Sequence, residues 1–270
     1  MLSPQTTLYV YEIRGDSFDD FKAPPASFIG IWNEDDFFYV FFTHPEDDYV
    51  QGILNYNTSR ISSRHEVQYS DWQTGLPENG ITIENLQFMP DDHPAPSPGS
   101  ILLDPSVVFG DGSHPTTIRC LTFLVEILGK YSATSLLDLG TGTGILALAG
   151  ARLGLKEIMA IDKNRLAASV AKNNVQTNNY DKIVTVREGE GRLFIDRKYD
   201  IVTANLPFEV LREILVLKGA SLHRFWIISG ISEYQGNTLK QLMQEQGYKI
   251  GSEHLDHPWT TFLAMQDINS

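Results

Sequence analysis

Asp138 stands two residues before the first of three glycines, at 140, 142 and 144, in the run LLDLGTGTGILALAG. A glycine turn leading from a strand into a helix lets a ligand approach the backbone, and the helix N-terminus behind it favours negative charge. Dinucleotide sites use G-x-G-x-x-G for a pyrophosphate, whereas here the third glycine comes one residue sooner. The acid discriminates further, because a carboxylate at Asp138 would repel a pyrophosphate. S-adenosylmethionine has no phosphate. It carries an ammonium and a sulfonium that an acid attracts, and a carboxylate that backbone N–H groups can hold. Asp138, Gly140 and Gly142 are therefore expected to line a site for that cofactor.

A second acid, Asp162, lies 22 residues beyond Gly140 at the end of the next apolar run. A carboxylate there can accept hydrogen bonds from both ribose hydroxyls, a feature shared with NAD sites. It could also simply cap the helix that follows. Asn205, in TANLPF, is expected at the carboxyl edge of a later strand, where its side chain and nearby carbonyls can accept a hydrogen bond from an attacking amine. The competing reading is an Asn-Pro turn. Phe208 either packs against a substrate group or belongs to the core. Upstream, FGDGSHPTT is rich in glycine and small polar residues and can fold over a bound cofactor, with Thr116 or Thr117 offering a hydroxyl. His114 reads as a local hydrogen-bonding residue before the helix that Pro115 opens. Glu188 and Glu190 are weak candidates for the adenine side of the pocket.

These residues need a scaffold, and the second half of the chain supplies its pattern. SLLDL, EIMAI, KIVTVRE, YDIVTAN and RFWIISG read as strands. The segments ILALAGARLG, NRLAASVAKNNVQTNN, FEVLREILVLKG and EYQGNTLKQLMQEQG between and after them read as helices. Alternation of this kind implies an α/β fold, a parallel sheet with helices on both faces. YKIGSEH and WTTFLAMQ follow with no helix between them and suggest an antiparallel edge. Residues 1–95 differ: they are rich in aromatics and acids, with strand-like pieces TLYVYEI, SFIGIW, DFFYVFF and ITIENLQFM, and helical periodicity only around Tyr49–Tyr56. The acidic runs NEDDFF and PEDDY read as solvated turns. Four prolines in PDDHPAPSPGS, residues 90–100, mark a linker. The expected division is a β-rich N-terminal domain at 1–95, suited to substrate recognition, and a cofactor-binding domain at 96–270.

Composition narrows the partners. The 270 residues carry a formal net charge of −13, which disfavours sequence-independent nucleic-acid binding and suits a basic protein. The single cysteine, Cys120, is expected in the core and permits neither an internal disulfide nor a cysteine metal cluster. No metal site is expected. No leader-like N-terminus is read, and no run approaches the roughly 18 apolar residues needed to span a bilayer; a cytoplasmic protein with no membrane partner is the expectation.

DPSVVFGDGSHPTT, DLGTGTGILALAG, IDKN, TANLPF and ISGISEYQ together resemble the PrmA family, the bacterial ribosomal protein lysine methyltransferases, over residues 101–250. The resemblance implies a class I methyltransferase domain with a seven-stranded sheet, S-adenosylmethionine as cofactor, and methyl transfer to protein amino groups. It places Thr117, Gly140, Asp162 and Asn205 at the family's cofactor positions and points to a basic ribosomal protein as partner. Two departures stand out. The family's N-terminal ferredoxin-like module has no motif match in residues 1–95. The Asn-Leu-Pro-Phe turn is similar to that of enzymes methylating planar nitrogens in adenine or glutamine. Methylation of RNA adenine-N6, of glutamine or of a small molecule is therefore an alternative, as is a non-catalytic binding module that retains the fold. NAD-dependent redox chemistry is opposed by Asp138 and by the glycine spacing.

Overall fold

The computed structural model describes residues 2–3, 5–15, 23–34, 37–54, 60–72 and 76–266. The chain divides into two compact units, Met1–Gly75 with Asn164–Leu166, and Leu76–Lys163 with Ala167–Ser270.

The first unit contains β1 (Thr7–Arg14), β2 (Phe28–Glu34), β3 (Phe37–Phe42), α1 (Asp47–Leu54), β4 (Arg60–Gln68) and the single turn α2 (Tyr69–Trp72). Its sheet runs β2-β3-β1-β4 with every pairing antiparallel. The strand order and antiparallel pairing are those of a ferredoxin-like sheet, with α1 as the helix that joins β3 to β4. Residues 16–22, between β1 and β2, lie outside the described residues. Alternation along β1 and β3 sends Tyr11, Ile13, Phe38, Val40 and Phe42 to one face, where Val50 and Leu54 of α1 cover them. PEDDY does not form the expected turn. Asp47 and Asp48 occupy the first turn of α1, where the helix dipole favours carboxylates. Asp35 and Asp36 of NEDDFF lie outside the described residues.

The second unit starts with β5 (Ile81–Ile83), β6 (Leu86–Pro90) and β7 (Ile101–Leu103), which form a small sheet in that order. ITIENLQFM is thus two strands rather than one. The chain reverses at Glu84, whose φ is +54°. Residues 91–100 connect the parallel pair β6 and β7. There follow α3 (Pro115–Lys130), β8 (Ser135–Leu139), α4 (Ile145–Arg152), β9 (Glu157–Asp162), α5 (Arg165–Thr177), β10 (Val184–Glu188), β11 (Ile201–Asn205), α6 (Phe208–Leu215), β12 (Phe225–Ser232), α7 (Glu233–Glu245), β13 (Tyr248–Asp256) and β14 (Trp259–Gln266). The main sheet has seven strands ordered β10-β9-β8-β11-β12-β14-β13. Five are parallel, while β14 pairs antiparallel with both β12 and β13.

Two apolar clusters sandwich this sheet. One joins α3 and α4 with Ile83, Leu86, Phe88, Ile101 and Leu103 of the small sheet. The other joins α6 and α7 through Leu211, Ile214, Leu215, Leu239 and Met243. Cys120 is fully buried in the first cluster, and burial pushes its thiol up to about 12, so it stays a thiol and packs as an apolar side chain. Among the described residues no helix is long and apolar enough to cross a membrane.

Candidate active site

In the strand order the direction of winding reverses between β8 and β11. Crossovers leave in opposite directions there and open a crevice at the carboxyl ends of the strands, where open α/β sheets bind ligands. The glycine turn follows β8, Asp162 ends its neighbour β9, and Asn205 ends its other neighbour β11. The sheet thus brings to one edge three segments that are up to 67 positions apart in the sequence, from Asp138 to Asn205.

The turn is held from the β9 side. The N–H groups of Gly140 and Thr141 both donate to the Ile161 carbonyl, at 2.8 and 2.9 Å. The Gly142 N–H donates to Asp162 Oδ2 at 2.9 Å. Gly140 has φ +70°, which favours glycine, and a Cβ there would lie 2.3 Å from the end of the Leu206 side chain, which would have to move aside. Asp162 is only 8% exposed.

Asp138 lies deeper, at 1% exposure. Its Oδ2 accepts from the Thr141 hydroxyl at 2.6 Å and its Oδ1 from the Thr203 hydroxyl at 2.7 Å. The carboxylate therefore ties the turn to β11 from beneath. Burial raises its pKa to about 6, against the opposing pull of the two threonine hydroxyls.

The Asn205 side chain donates from Nδ2 to the Thr116 hydroxyl at 3.0 Å. Thr116 lies in the first turn of α3, whose N-cap is His114. The His114 Nδ1 accepts from the Thr116 N–H at 3.3 Å and lies 2.7 Å from its hydroxyl. Burial lowers the His114 pKa, so the ring is neutral at pH 7. The ring also sits between two aromatics, with centroids 5.2 Å from Phe109 and 5.5 Å from Trp259. Phe109 is half exposed. Thr117, the neighbour of Thr116, is buried, and its N–H donates to the His114 carbonyl. Phe208 opens α6 after Pro207 and packs, half-buried, on the α6–α7 cluster. Glu188 and Glu190 are exposed at and just beyond the end of β10.

Trp259 escaped the sequence reading, although its strand did not. Nothing in the local spacing of WTTFLAMQ ties its first residue to His114, 145 positions earlier. Among the described residues no group of three or more metal-ligating side chains exists.

The sheet order, the glycine turn between β8 and α4, and the strand-end acid and amide define a class I methyltransferase. The sequence profile of the family described as "Ribosomal protein L11 methyltransferase (PrmA)" matches residues 53–267. The chain belongs to that family, which makes it an enzyme of the methyltransferase class. It is 32% identical over 214 residues to the ribosomal protein L11 methyltransferase of Desulforamulus reducens, covering 75% of this chain and 68% of that one. It is 34% identical over 168 residues to the protein of the same name from Staphylococcus saprophyticus, covering 62% of this chain and 53% of that one. The chain thus spans between about half and two thirds of these relatives' lengths. The crystal structure of a ribosomal protein L11 methylase from Lactobacillus delbrueckii subsp. bulgaricus superposes with a TM-score of 0.60 at 25% identity, over 69% of this chain and 98% of that one.

Proposed function

We propose that this chain uses S-adenosylmethionine to methylate amino groups of a protein, and that the acceptor is a basic ribosomal protein of the L11 type. The convergence of the glycine turn, the Asp162 carboxylate and the Asn205 amide on one sheet edge is the observation that carries the reading. The donor set fits the cofactor. No lysine or arginine stands between Asp138 and Gly144 to neutralise a phosphate. The turn and the N-terminus of α4 would hold a carboxylate, and Asp162 would hold ribose hydroxyls. Thr117, in the first turn of α3, would close the site from the side of the FGDGSHPTT segment. Asp138 would act through Thr141, fixing the turn's shape.

When bound, the cofactor supplies an electrophilic methyl group on a positively charged sulfur. The protein has then to align a neutral nitrogen and exclude water. Asn205 and the backbone carbonyls of residues 205–208 would accept hydrogen bonds from the acceptor amine, with Phe208 beside them. A lysine must lose its proton first, and desolvation beside Phe109 and Trp259 favours the neutral form.

The L11-type acceptor is supported by the family and by the charge of −13, which suits a lysine-rich partner. The β-rich N-terminal region, with its ferredoxin-like strand order, would take part in recognising it. A ribosomal substrate would place the enzyme in the cytoplasm. The test is transfer of labelled methyl from S-adenosylmethionine to ribosomes and to their separated proteins, followed by protease or RNase. The expected label is in a small basic protein, lost to protease and resistant to RNase. Label lost to RNase would assign the Asn-Leu-Pro-Phe turn to a base acceptor instead. Cofactor binding with no label in either fraction would indicate a binding module.

A further inference from the structure

We propose that Thr143 and Asn174 are positioning residues that fasten the segment from Asp104 to Thr116 onto the glycine turn and so hold the wall that this segment forms over the site. The inference rests on the cofactor and acceptor assigned above. The segment is held at its start by α5. Asn174 is 1% exposed. Its Oδ1 accepts from the Asp104 N–H at 2.9 Å, and its Nδ2 donates to the Asp104 carbonyl at 2.9 Å. One turn later Asn178 repeats the pattern on Leu102, accepting at 2.9 Å and donating at 2.7 Å. Four helical residues advance about 6 Å and two strand residues about 6.6 Å, so the two amides meet alternate residues of the extended chain as a neighbouring strand would.

The same Asn174 Nδ2 donates to the Thr143 carbonyl at 2.9 Å, inside the glycine turn. Thr143 in turn reaches the middle of the segment. Its hydroxyl donates to the Gly110 carbonyl at 2.7 Å and its N–H to the Phe109 carbonyl at 3.2 Å. The backbones touch closely here. A Cβ on Gly142 would lie 2.5 Å from the Phe109 oxygen, and one on Gly110 would lie 2.9 Å from the Thr143 hydroxyl. The segment then ends at Thr116, which accepts from Asn205. Between these fixed points lie Phe109 and His114, whose rings touch each other, and His114 also meets Trp259.

A division of labour follows. One flank of the turn is held by β9, through Ile161 and Asp162. The flank facing the FGDGSHPTT segment is held by Thr143 and Asn174. Loss of the Thr143 hydroxyl leaves the buried Gly110 carbonyl without that donor. It should displace Phe109 and His114 while leaving the β9 contacts in place.

The experiment compares Thr143→Val, which has the same shape without the hydroxyl, with Thr143→Ser, which keeps it. Three quantities are read on the full chain: S-adenosylmethionine affinity by calorimetry, kcat and KM for the protein acceptor, and amide hydrogen exchange of residues 104–114 without cofactor. The expected result for Thr143→Val is S-adenosylmethionine affinity lowered several-fold and acceptor kcat/KM lowered on the order of tenfold. Exchange in 104–114 should be faster, and Thr143→Ser should restore all three. The proposal is overturned if Thr143→Val changes neither cofactor affinity nor exchange, or if Thr143→Ser is as impaired as Thr143→Val. Wild-type exchange tests it even where a variant does not fold, since free-peptide rates across 104–114 would overturn it. Wild-type protein that neither binds the cofactor nor transfers methyl would refute the assigned function, while the exchange comparison would still decide the fastening.

Discussion

Asp138 and Asp162 are carboxylates on adjacent strands, and their surroundings separate their roles. Asp162 reaches the crevice with one oxygen on the Gly142 N–H. Asp162→Ala should weaken S-adenosylmethionine binding at least about tenfold, since a hydrogen bond to a charged group is worth ~1.5–3 kcal/mol. Calorimetry on the folded variant decides it, and unchanged affinity would misplace the ribose. Asp138 is buried, with a folded pKa of about 6 against an ordinary 3.8. The folded state holds this proton more tightly than the unfolded chain. The carboxyl therefore adds stability below pH 3.8 and loses it as the pH rises through 6. The whole change is on the order of 3 kcal/mol. Asp138→Asn has no such titration. Its stability relative to wild type should improve between about pH 4 and pH 6 and level off above pH 7 in urea melts, by up to about that amount. A difference that does not vary with pH would show that Asp138 titrates normally.

The elements hold the site together through contacts of different visibility. Helix α3 carries Thr116 and Thr117, and its Arg119 grips Asp256 of β13 through two bonds, Nε to Oδ2 at 2.7 Å and Nη2 to Oδ1 at 3.1 Å. Both side chains are partly buried and the pair is bidentate, so Asp256→Asn should destabilise the protein by about 1 kcal/mol in denaturant melts. A smaller loss is expected at high salt. The strands and helices of the second unit were legible because buried parallel strands are short apolar runs, and the helices between them end in glycine or turn residues. SLLDL, EIMAI and YDIVTAN announced β8, β9 and β11, and with them the placement of the glycine turn, Asp162 and Asn205. By contrast β4, with the sequence RISSRHEVQ, gave no signal. It is an edge strand exposed along most of its length, so no apolar alternation marks it. Asn174 of α5 and Asn178 just beyond its end were equally silent. Their work is side chain to backbone across about 70 residues, and such bonds leave no spacing in the local sequence. The hydroxyl offered to the cofactor could be narrowed by spacing only to Thr116 or Thr117, because a single residue turns the helix by about 100° and the sequence does not fix that phase; the bond from Asn205 to Thr116 left no local signal at all.

Across the whole molecule, a charge of −13 sets a long-range field that a lysine-rich acceptor would feel far more strongly than a small cofactor carrying a single net positive charge. Raising salt from 50 to 300 mM should increase the KM for the protein acceptor several-fold while cofactor affinity stays nearly constant. Equal insensitivity of both would argue against electrostatic steering. The arrangement of the main sheet bears on how the chain acquires its structure. β14 follows β13 in sequence yet lies between β12 and β13, so β13 reaches the other strands only through it. During synthesis the flank of β12 must therefore wait, with unpaired backbone groups, until residues 259–266 leave the exit tunnel. Nascent chains paused before that point should bind chaperones and resist compaction, and completion of a single eight-residue stretch should trigger closure of the whole sheet.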